Sequence, residues 1–304
     1  MKTIILGPPG TGKTTTLLNL VDEFIQQGIR PKQIGYFSFT KKAATEAANR
    51  AAEKFGLDID NDLSNFRTLH SLAFRNLGMT KEKMMKQEDY KEFGQKCGIP
   101  IKTANYSSED GTFNSDNEYL TIINTARVKR MDLLEYYDSR QNILDIERGT
   151  LFLLAEELER YKKEKGLKDF TDLLEDFIAK SLPGSLEVLF IDEAQDLSLI
   201  QWEMVRHLWK YAKKTYIAGD DDQAIFKWAG ADVDHFIALK EEVNDIKVLD
   251  QSYRIPGGPI HELSQKIINK VQNRFEKEYK PREEIGLLKR YSDITQVDMS
   301  KGNW

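Results

Sequence analysis

Gly7-Pro8-Pro9-Gly10-Thr11-Gly12-Lys13-Thr14 follows the apolar run Thr3-Ile4-Ile5-Leu6 directly. Beyond it, Leu17, Val21, Phe24 and Ile25 recur at helical spacing until Gly28 interrupts them. A short apolar run, a glycine-rich turn and an amphipathic stretch read as strand, loop and helix. In that setting the glycines leave backbone N–H groups free to wrap phosphates, and the helix offers them its positive end. Lys13 is spaced to reach the β- and γ-phosphates, and the Thr14 hydroxyl to hold Mg²⁺, with Thr15 beside it. Gly7, Pro8, Pro9, Gly10, Thr11 and Gly12 form the cradle. The ligands implied are ATP and magnesium. The loop alone does not separate a kinase from a GTPase or a motor.

Working outward, Gly35 to Phe39, Val188 to Ile191, Thr215 to Ala218 and Ile246 to Leu249 are further apolar or β-branched runs without strict alternation. That is the pattern of parallel strands buried on both faces. Helical segments lie between them, so the fold class is α/β. Well over a hundred residues separate the second run from the third, far more than a crossover needs. Tyr119 to Tyr137 and Ile146 to Lys165 read as helices within that interval, and Asn105 to Asn117 as a mobile polar loop. The expected organisation is residues 1–79 as the first part of a motor-type domain, 80–180 as a helical insertion, 181–254 as its second part, and 255–304 as the start of another unit. Ile255-Pro256-Gly257-Gly258-Pro259 marks the last boundary, a helix is expected from Ile260 to about Asn273, and the tail from Arg274 is too short for a domain.

The chain has 304 residues, with 40% hydrophobic and 31% charged, which supports a folded and rather polar protein. Its formal net charge of -5 is wrong for a protein that merely coats nucleic acid, so any such role must rest on a local groove. Cys97 is the single cysteine, which excludes an intrachain disulfide and a cysteine metal cluster. No apolar run approaches the roughly 20 residues of a membrane span, and no signal peptide is evident. A cytoplasmic setting is the natural expectation.

Leu189-Phe190-Ile191-Asp192-Glu193-Ala194-Gln195-Asp196 narrows the chemistry. An apolar strand ending in Asp-Glu supplies the other half of an ATPase site. Asp192 can bind Mg²⁺ through water, and Glu193 can orient or deprotonate the attacking water. The bland alternative is two acidic residues solvating a strand end, which the presence of the phosphate loop makes weaker. A small-molecule kinase has no need of Glu193 there, since its nucleophile is a substrate oxygen.

Asp192-Glu193-Ala194-Gln195-Asp196, together with Gly219-Asp220-Asp221-Asp222-Gln223-Ala224-Ile225-Phe226-Lys227-Trp228-Ala229-Gly230-Ala231-Asp232, resembles the superfamily 1 DNA helicases of the UvrD, Rep and PcrA type. Leu249-Asp250-Gln251-Ser252-Tyr253-Arg254 resembles a further motif of that family. So do Phe37-Ser38-Phe39-Thr40-Lys41-Lys42-Ala43-Ala44, Thr68-Leu69-His70-Ser71-Leu72 and Phe170-Thr171-Asp172-Leu173-Leu174. The motifs run in the family's order from residue 7 to residue 254, with an insertion where the family has one.

The resemblance implies a RecA-like P-loop fold and an ATP-dependent 3′-to-5′ translocase or helicase acting on single-stranded DNA, or on DNA with a single-stranded tail, in repair or replication. Gln223 would contact the γ-phosphate, where a neutral amide can sense phosphate without titrating. Arg254 would add a cationic contact, and Tyr253 would stack on adenine. Phe39, Phe226 and Trp228 would stack on bases, with Thr40, Lys41, Lys42, His70 and Lys227 placed for the DNA backbone. Blander alternatives stand beside several of these. Tyr253 and Phe39 could be core aromatics, Arg254 a surface ion pair, Lys41-Lys42 a solvated helix start, and His70 a structural histidine.

The chain also departs from the family's pattern. Its first strand starts at Lys2, without the family's upstream glutamine that reads adenine, and Ala229 stands where an arginine is common. Nothing after Arg254 resembles the family's later motifs, which supply a transition-state arginine and half of the DNA track. The expectation is therefore an N-terminal fragment with weak binding and little unwinding. The runner-up reading is a nucleotide-gated DNA-binding or displacement module that never unwinds. A kinase of small phosphate acceptors is a third, disfavoured by Asp192, Glu193 and Gln223.

Overall fold

A computed structural model describes residues 1–140, 146–180 and 186–296. The first stretch runs β1 (Lys2–Leu6), α1 (Lys13–Gln26), β2 (Ile34–Ser38), α2 (Lys41–Phe55), β3 (Phe66–Arg67) and α3 (Leu69–Asn76). An inserted unit follows, with α4 (Gln87–Cys97), β4 (Ala104–Tyr106), β5 (Phe113–Ser115), α5 (Glu118–Val128), α6 (Leu133–Asp138) and α7 (Arg148–Lys165). The chain then forms α8 (Phe170–Lys180), β6 (Val188–Asp192), α9 (Leu199–Trp209), β7 (Lys214–Gly219), α10 (Val233–Ala238) and β8 (Asp245–Val248). It ends with β9 (Gln251–Gly257), α11 (Pro259–Ile268) and β10 (Lys280–Ile285).

The central sheet is α/β in class, six-stranded and wholly parallel, in the order β3-β2-β6-β7-β1-β8. Its strands lack polar alternation because both faces are covered. Ile5, Tyr36, Val188, Phe190, Tyr216 and Ala218 pack against α1 and α2 on one side. Ile4, Leu6, Phe37, Leu189, Ile191 and Ile217 pack with α3, α8, α9 and α10 on the other. This is the arrangement of a RecA-like P-loop domain. β6 and β7 lie at its centre, with β1 beside β7, so the ends of β1, β6 and β7 meet.

Several expectations are corrected. The run Ile246 to Leu249 is not buried on both faces. β8 closes an edge of the sheet, with Ile246 and Val248 exposed. β3 was missed because it has two residues and no apolar run. The expected loop from Asn105 to Asn117 holds the antiparallel β4–β5 hairpin, registered Ala104 to Ser115 and Tyr106 to Phe113. Its aromatic pair, Tyr106 and Phe113, has ring centroids 4.9 Å apart. The single helix expected from Tyr119 to Tyr137 is two, because Arg130 turns the chain at φ 52. The helix expected to reach Asn273 ends at Ile268. The tail also holds a strand, since β10 pairs in parallel with β9. Expected residues 297–304 lie outside the described residues.

The inserted unit has its own apolar cluster, from Met85 through Phe93, Leu120 and Leu151 to Tyr161. α8, which the sequence reading placed inside the insertion, instead puts Leu173, Leu174 and Phe177 in the sheet's cluster. A buried ionic network ties the two together. Arg127 of α5 reaches Asp169 at 2.8 Å, Asp172 at 2.6 Å and Glu175 at 2.8 Å. Lys162 of α7 meets the same two aspartates at 2.9 and 2.8 Å. Burial alone would raise the Asp169 carboxyl, but Arg127 and Lys162 hold it well below the usual range. Removing one partner would leave a buried charge uncompensated, which costs about 3–5 kcal/mol. Among the described residues no helix is long and apolar enough to cross a membrane.

Candidate nucleotide and nucleic-acid sites

The phosphate loop leaves β1 with the Gly7 amide donating to the Gly219 carbonyl at the end of β7, 3.2 Å away. Gly10 and Gly12 adopt φ of +74 and +85, where a side chain is strained. At Gly10 a Cβ would also lie 2.3 Å from the Arg254 Cβ, so only glycine lets β9 approach. Lys13 opens α1 and donates from Nζ to the Gly7 carbonyl at 2.7 Å. Its ammonium is thus held over the loop's own concavity.

The Thr14 hydroxyl donates to Asp192 Oδ2 at 3.0 Å, and the Tyr36 hydroxyl to the same oxygen at 2.7 Å. The Glu193 amide donates to Asp192 Oδ1 at 3.0 Å. These hydrogen-bond partners are all neutral. Burial, then the charge of Glu193, raises the Asp192 carboxyl above its ordinary value. A buried carboxylate beside a hydroxyl, lacking a cationic hydrogen-bond partner, suits a hard divalent cation such as Mg²⁺. Thr14 and Asp192 are the residues able to hold it.

Glu193 sits at φ 53, in the left-handed region a non-glycine residue rarely adopts. The strain turns the chain sharply off β6, leaving Asp192 toward Thr14 and the Glu193 carboxylate toward Gln195. Gln195 Nε2 donates to Glu193 Oε2 and to Asp196 Oδ2, each at 3.0 Å. Its Oε1 accepts from the Asp220 amide at 3.0 Å. Asp220 Oδ2 in turn accepts from Gln223 Nε2 at 2.5 Å. A continuous polar chain therefore runs from Glu193 through Gln195 and Asp220 to Gln223, joining the ends of β6 and β7.

Sequence reasoning assigned Glu193 and Gln223 but not the two residues between them. Both lay inside the quoted motifs, so the signal was present and the connectivity was not. Asp196 was missed as well. Burial, followed by the charge of Glu193, pushes its carboxyl up to about 7. Among the described residues its buried Oδ1 accepts no hydrogen bond of ordinary geometry.

β9 brings Tyr253 and Arg254 to the loop. The Tyr253 amide donates to the Gly10 carbonyl at 2.8 Å, while its ring is 74% exposed. Tyr253 is therefore not a core aromatic, and the Arg254 side chain is exposed beside it. Ser252 Oγ and the Tyr279 hydroxyl both donate to the Pro9 carbonyl, each at 2.9 Å. Tyr279 is a fourth residue the sequence reading did not single out.

Past the end of β2, whose Ser38 is in register with Asp192, rings step outward from the core. Phe39 is 5% exposed, with Phe226 at 5.0 Å between centroids. Trp228 follows at 6.2 Å from Phe226 and is 64% exposed. Lys227 is exposed beside it, and Lys41 and Lys42 are exposed at the start of α2. Thr40 caps that helix by accepting from the Ala43 amide at 3.1 Å, so its hydroxyl has a structural duty.

The tip of the β4–β5 hairpin reaches this helix start. The Glu109 carbonyl accepts from the Lys41 amide, and its carboxylate from the Lys42 amide, both at 2.6 Å. His70 lies deeper. Its ring is 5.4 Å from that of Phe170 and close under Gly111. Burial lowers its imidazole to about 4, only partly opposed by Asp110, so it is neutral near pH 7.

Residues 1–244 match the model of the UvrD/REP helicase N-terminal domain. The ATP-dependent DNA helicase Rep of Escherichia coli (strain K12) is 26% identical over 274 residues, covering 84% of this chain and 39% of that protein. The Rep helicase of Buchnera aphidicola subsp. Baizongia pistaciae is 25% identical over 268 residues, with coverage of 84% and 39%. A probable DNA helicase II homolog of Rickettsia conorii is 26% identical over 312 residues, with coverage of 90% and 43%. The chain thus spans about two fifths of the length of these curated relatives.

Proposed function

The chain belongs to the UvrD/REP helicase N-terminal domain family, and from that premise we propose that it is the nucleotide-binding motor domain of an ATP-dependent translocase and helicase moving 3′-to-5′ on single-stranded DNA. The observation that carries the reading is the polar chain from Glu193 to Gln223, set beside Lys13, Thr14 and Asp192. It joins a water-activating carboxylate to a phosphate-facing amide at one end of the sheet. Relatives named ATP-dependent DNA helicases support the same reading.

Within it, the loop amides and Lys13 bind the phosphates, with Lys13 exchanging its Gly7 carbonyl for phosphate oxygens. Thr14 and Asp192 would hold Mg²⁺, whose chemical contribution is to neutralise charge developing on the transferred phosphoryl group. Glu193 orients water and accepts its proton. Gln223 directs its Nε2 at Asp220, which leaves Oε1 free to orient the same water. Tyr253 stacks on the base and Arg254 contacts the phosphates from β9. Phe226 and Trp228 carry the DNA bases, supported from beneath by Phe39, which is a core aromatic and not itself a stacking platform, with Thr40, Lys41, His70 and Lys227 along the strand's backbone. His70 does so as a neutral imidazole.

The test is thermodynamic coupling between the two ligands. Titrations with a non-hydrolysable ATP analogue and with 3′-tailed or 5′-tailed duplexes should show each ligand changing the other's affinity, with the 3′ tail preferred. Independent binding would remove the motor reading, and preference for the 5′ tail would reverse the polarity.

A further inference from the structure

Lys277 lies in the segment between α11 and β10, outside every motif so far described. Its side chain is 1% exposed, extreme for a lysine. Nζ sits 2.6 Å from Asp220 Oδ1, in contact with Asp221 Oδ1, and 3.1 Å from Asp222 Oδ2. Neighbours in the same segment complete the seat. The Phe275 amide donates to Asp221 Oδ2 at 2.8 Å, its ring lies 5.6 Å from Phe236, and Arg274 forks onto Asp222. Burial alone would favour the neutral amine, but Asp220 and Asp221 outweigh it and the group stays charged.

Asp220 connects this cluster to Gln223. Its amide is held by Gln195, and its Oδ2 accepts from Gln223. Its Oδ1 accepts from Lys277 and, at 3.3 Å, from the Asp222 amide. The carboxylate is wholly buried, in a row of three acids. Without the ammonium it would be an uncompensated buried charge, which protonates or swings to water. Either change alters the acceptor that fixes the Gln223 amide. We propose that Lys277 is a positioning residue, acting through Asp220 to hold Gln223 toward the phosphates. The segment after α11 thereby sets how well the site distinguishes ATP from ADP. This rests on the nucleotide-site reading above.

The experiment measures affinity for a non-hydrolysable ATP analogue and for ADP, each with Mg²⁺, across a set of variants. Wild type should bind both. Lys277→Met should lower the analogue-to-ADP affinity ratio about tenfold, the scale of one hydrogen bond to a charged group. Lys277→Arg should recover part of it. Gln223→Ala should lower the ratio similarly, and adding Lys277→Met to it should lower it no further. Should Lys277→Met not fold, Lys277→Met with Asp221→Asn leaves the cluster's net charge unchanged, and the ratio should still fall. An unchanged ratio in either folded variant overturns the proposal. So does equal loss for both nucleotides, the mark of a merely structural anchor, or additivity with Gln223→Ala. Wild type binding neither nucleotide would instead sink the underlying nucleotide-site reading, and the proposal with it.

Discussion

The two candidate ligand sites are built on opposite principles. At the ends of β1, β6 and β7, Lys13, Thr14, Asp192, Glu193, Gln195, Asp220 and Gln223 all bond to one another or to the loop backbone. Along Phe39, Phe226 and Trp228, the side chains instead graduate from core to solvent through ring contacts. The first arrangement fixes each polar group in advance, as chemistry on a phosphate requires. The second offers flat surfaces that accept any base, as a sliding strand requires. The difference predicts all-or-none losses at one site and graded losses at the other.

The largest effect should come from Lys13→Ala. Hydrolysis should fall about 10²–10³-fold, the scale of losing one pre-positioned donor, while binding of single-stranded DNA persists. Steady-state turnover and a DNA titration on the same preparation check it. Substantial turnover would break the claim that the phosphate site is pre-positioned. Trp228→Ala should cost about 1–3 kcal/mol of single-strand affinity, with DNA-independent turnover spared. Fluorescence anisotropy at fixed salt measures this, and an unchanged affinity would take Trp228 off the DNA track.

Asp196 tests the rigid site by pH. Its carboxyl is raised in the folded protein, so the fold favours the protonated form. That contribution is complete below the unfolded value and is lost as pH rises through about 7. Asp196→Asn should therefore gain stability relative to wild type between pH 4 and pH 7, by about 3 kcal/mol. Denaturation midpoints at both pH values decide it, and parallel curves would deny the raised carboxyl. The smallest effect is expected from Glu109→Ala. It removes an acid seated on the amides that start α2. Strand affinity should tighten by a few tenths to about 1 kcal/mol, the scale of one charge at a helix N-terminus. Weaker binding would show that the hairpin supports the track rather than competing for it.

What could be read in advance follows the same division. The phosphate loop, the Asp192-Glu193 strand end and the four main buried strands are local patterns, and local patterns survive in a sequence. β8 was misjudged because apolar content does not reveal which strand lies at an edge. The β4–β5 hairpin hid behind serine and glycine, since its register comes from Tyr106 and Phe113 meeting across the turn. Gln195 and Asp220 stood in plain view, but their bond joins positions 25 residues apart. Lys277 was invisible for a similar reason. It meets Asp220 across 57 residues from a stretch that looked like a polar tail.

β6 shows how closely architecture and chemistry are bound. Val188 and Phe190 face one helical layer, Leu189 and Ile191 the other, and Asp192 follows as the next step of that alternation. A one-residue slip would exchange the two cores and turn the Asp192 carboxylate away from Thr14 at once. The strand therefore carries its own parity check. Any chain that folds with its layers correctly filled has already aimed Asp192, and a misaimed Asp192 implies a fold too poorly packed to persist.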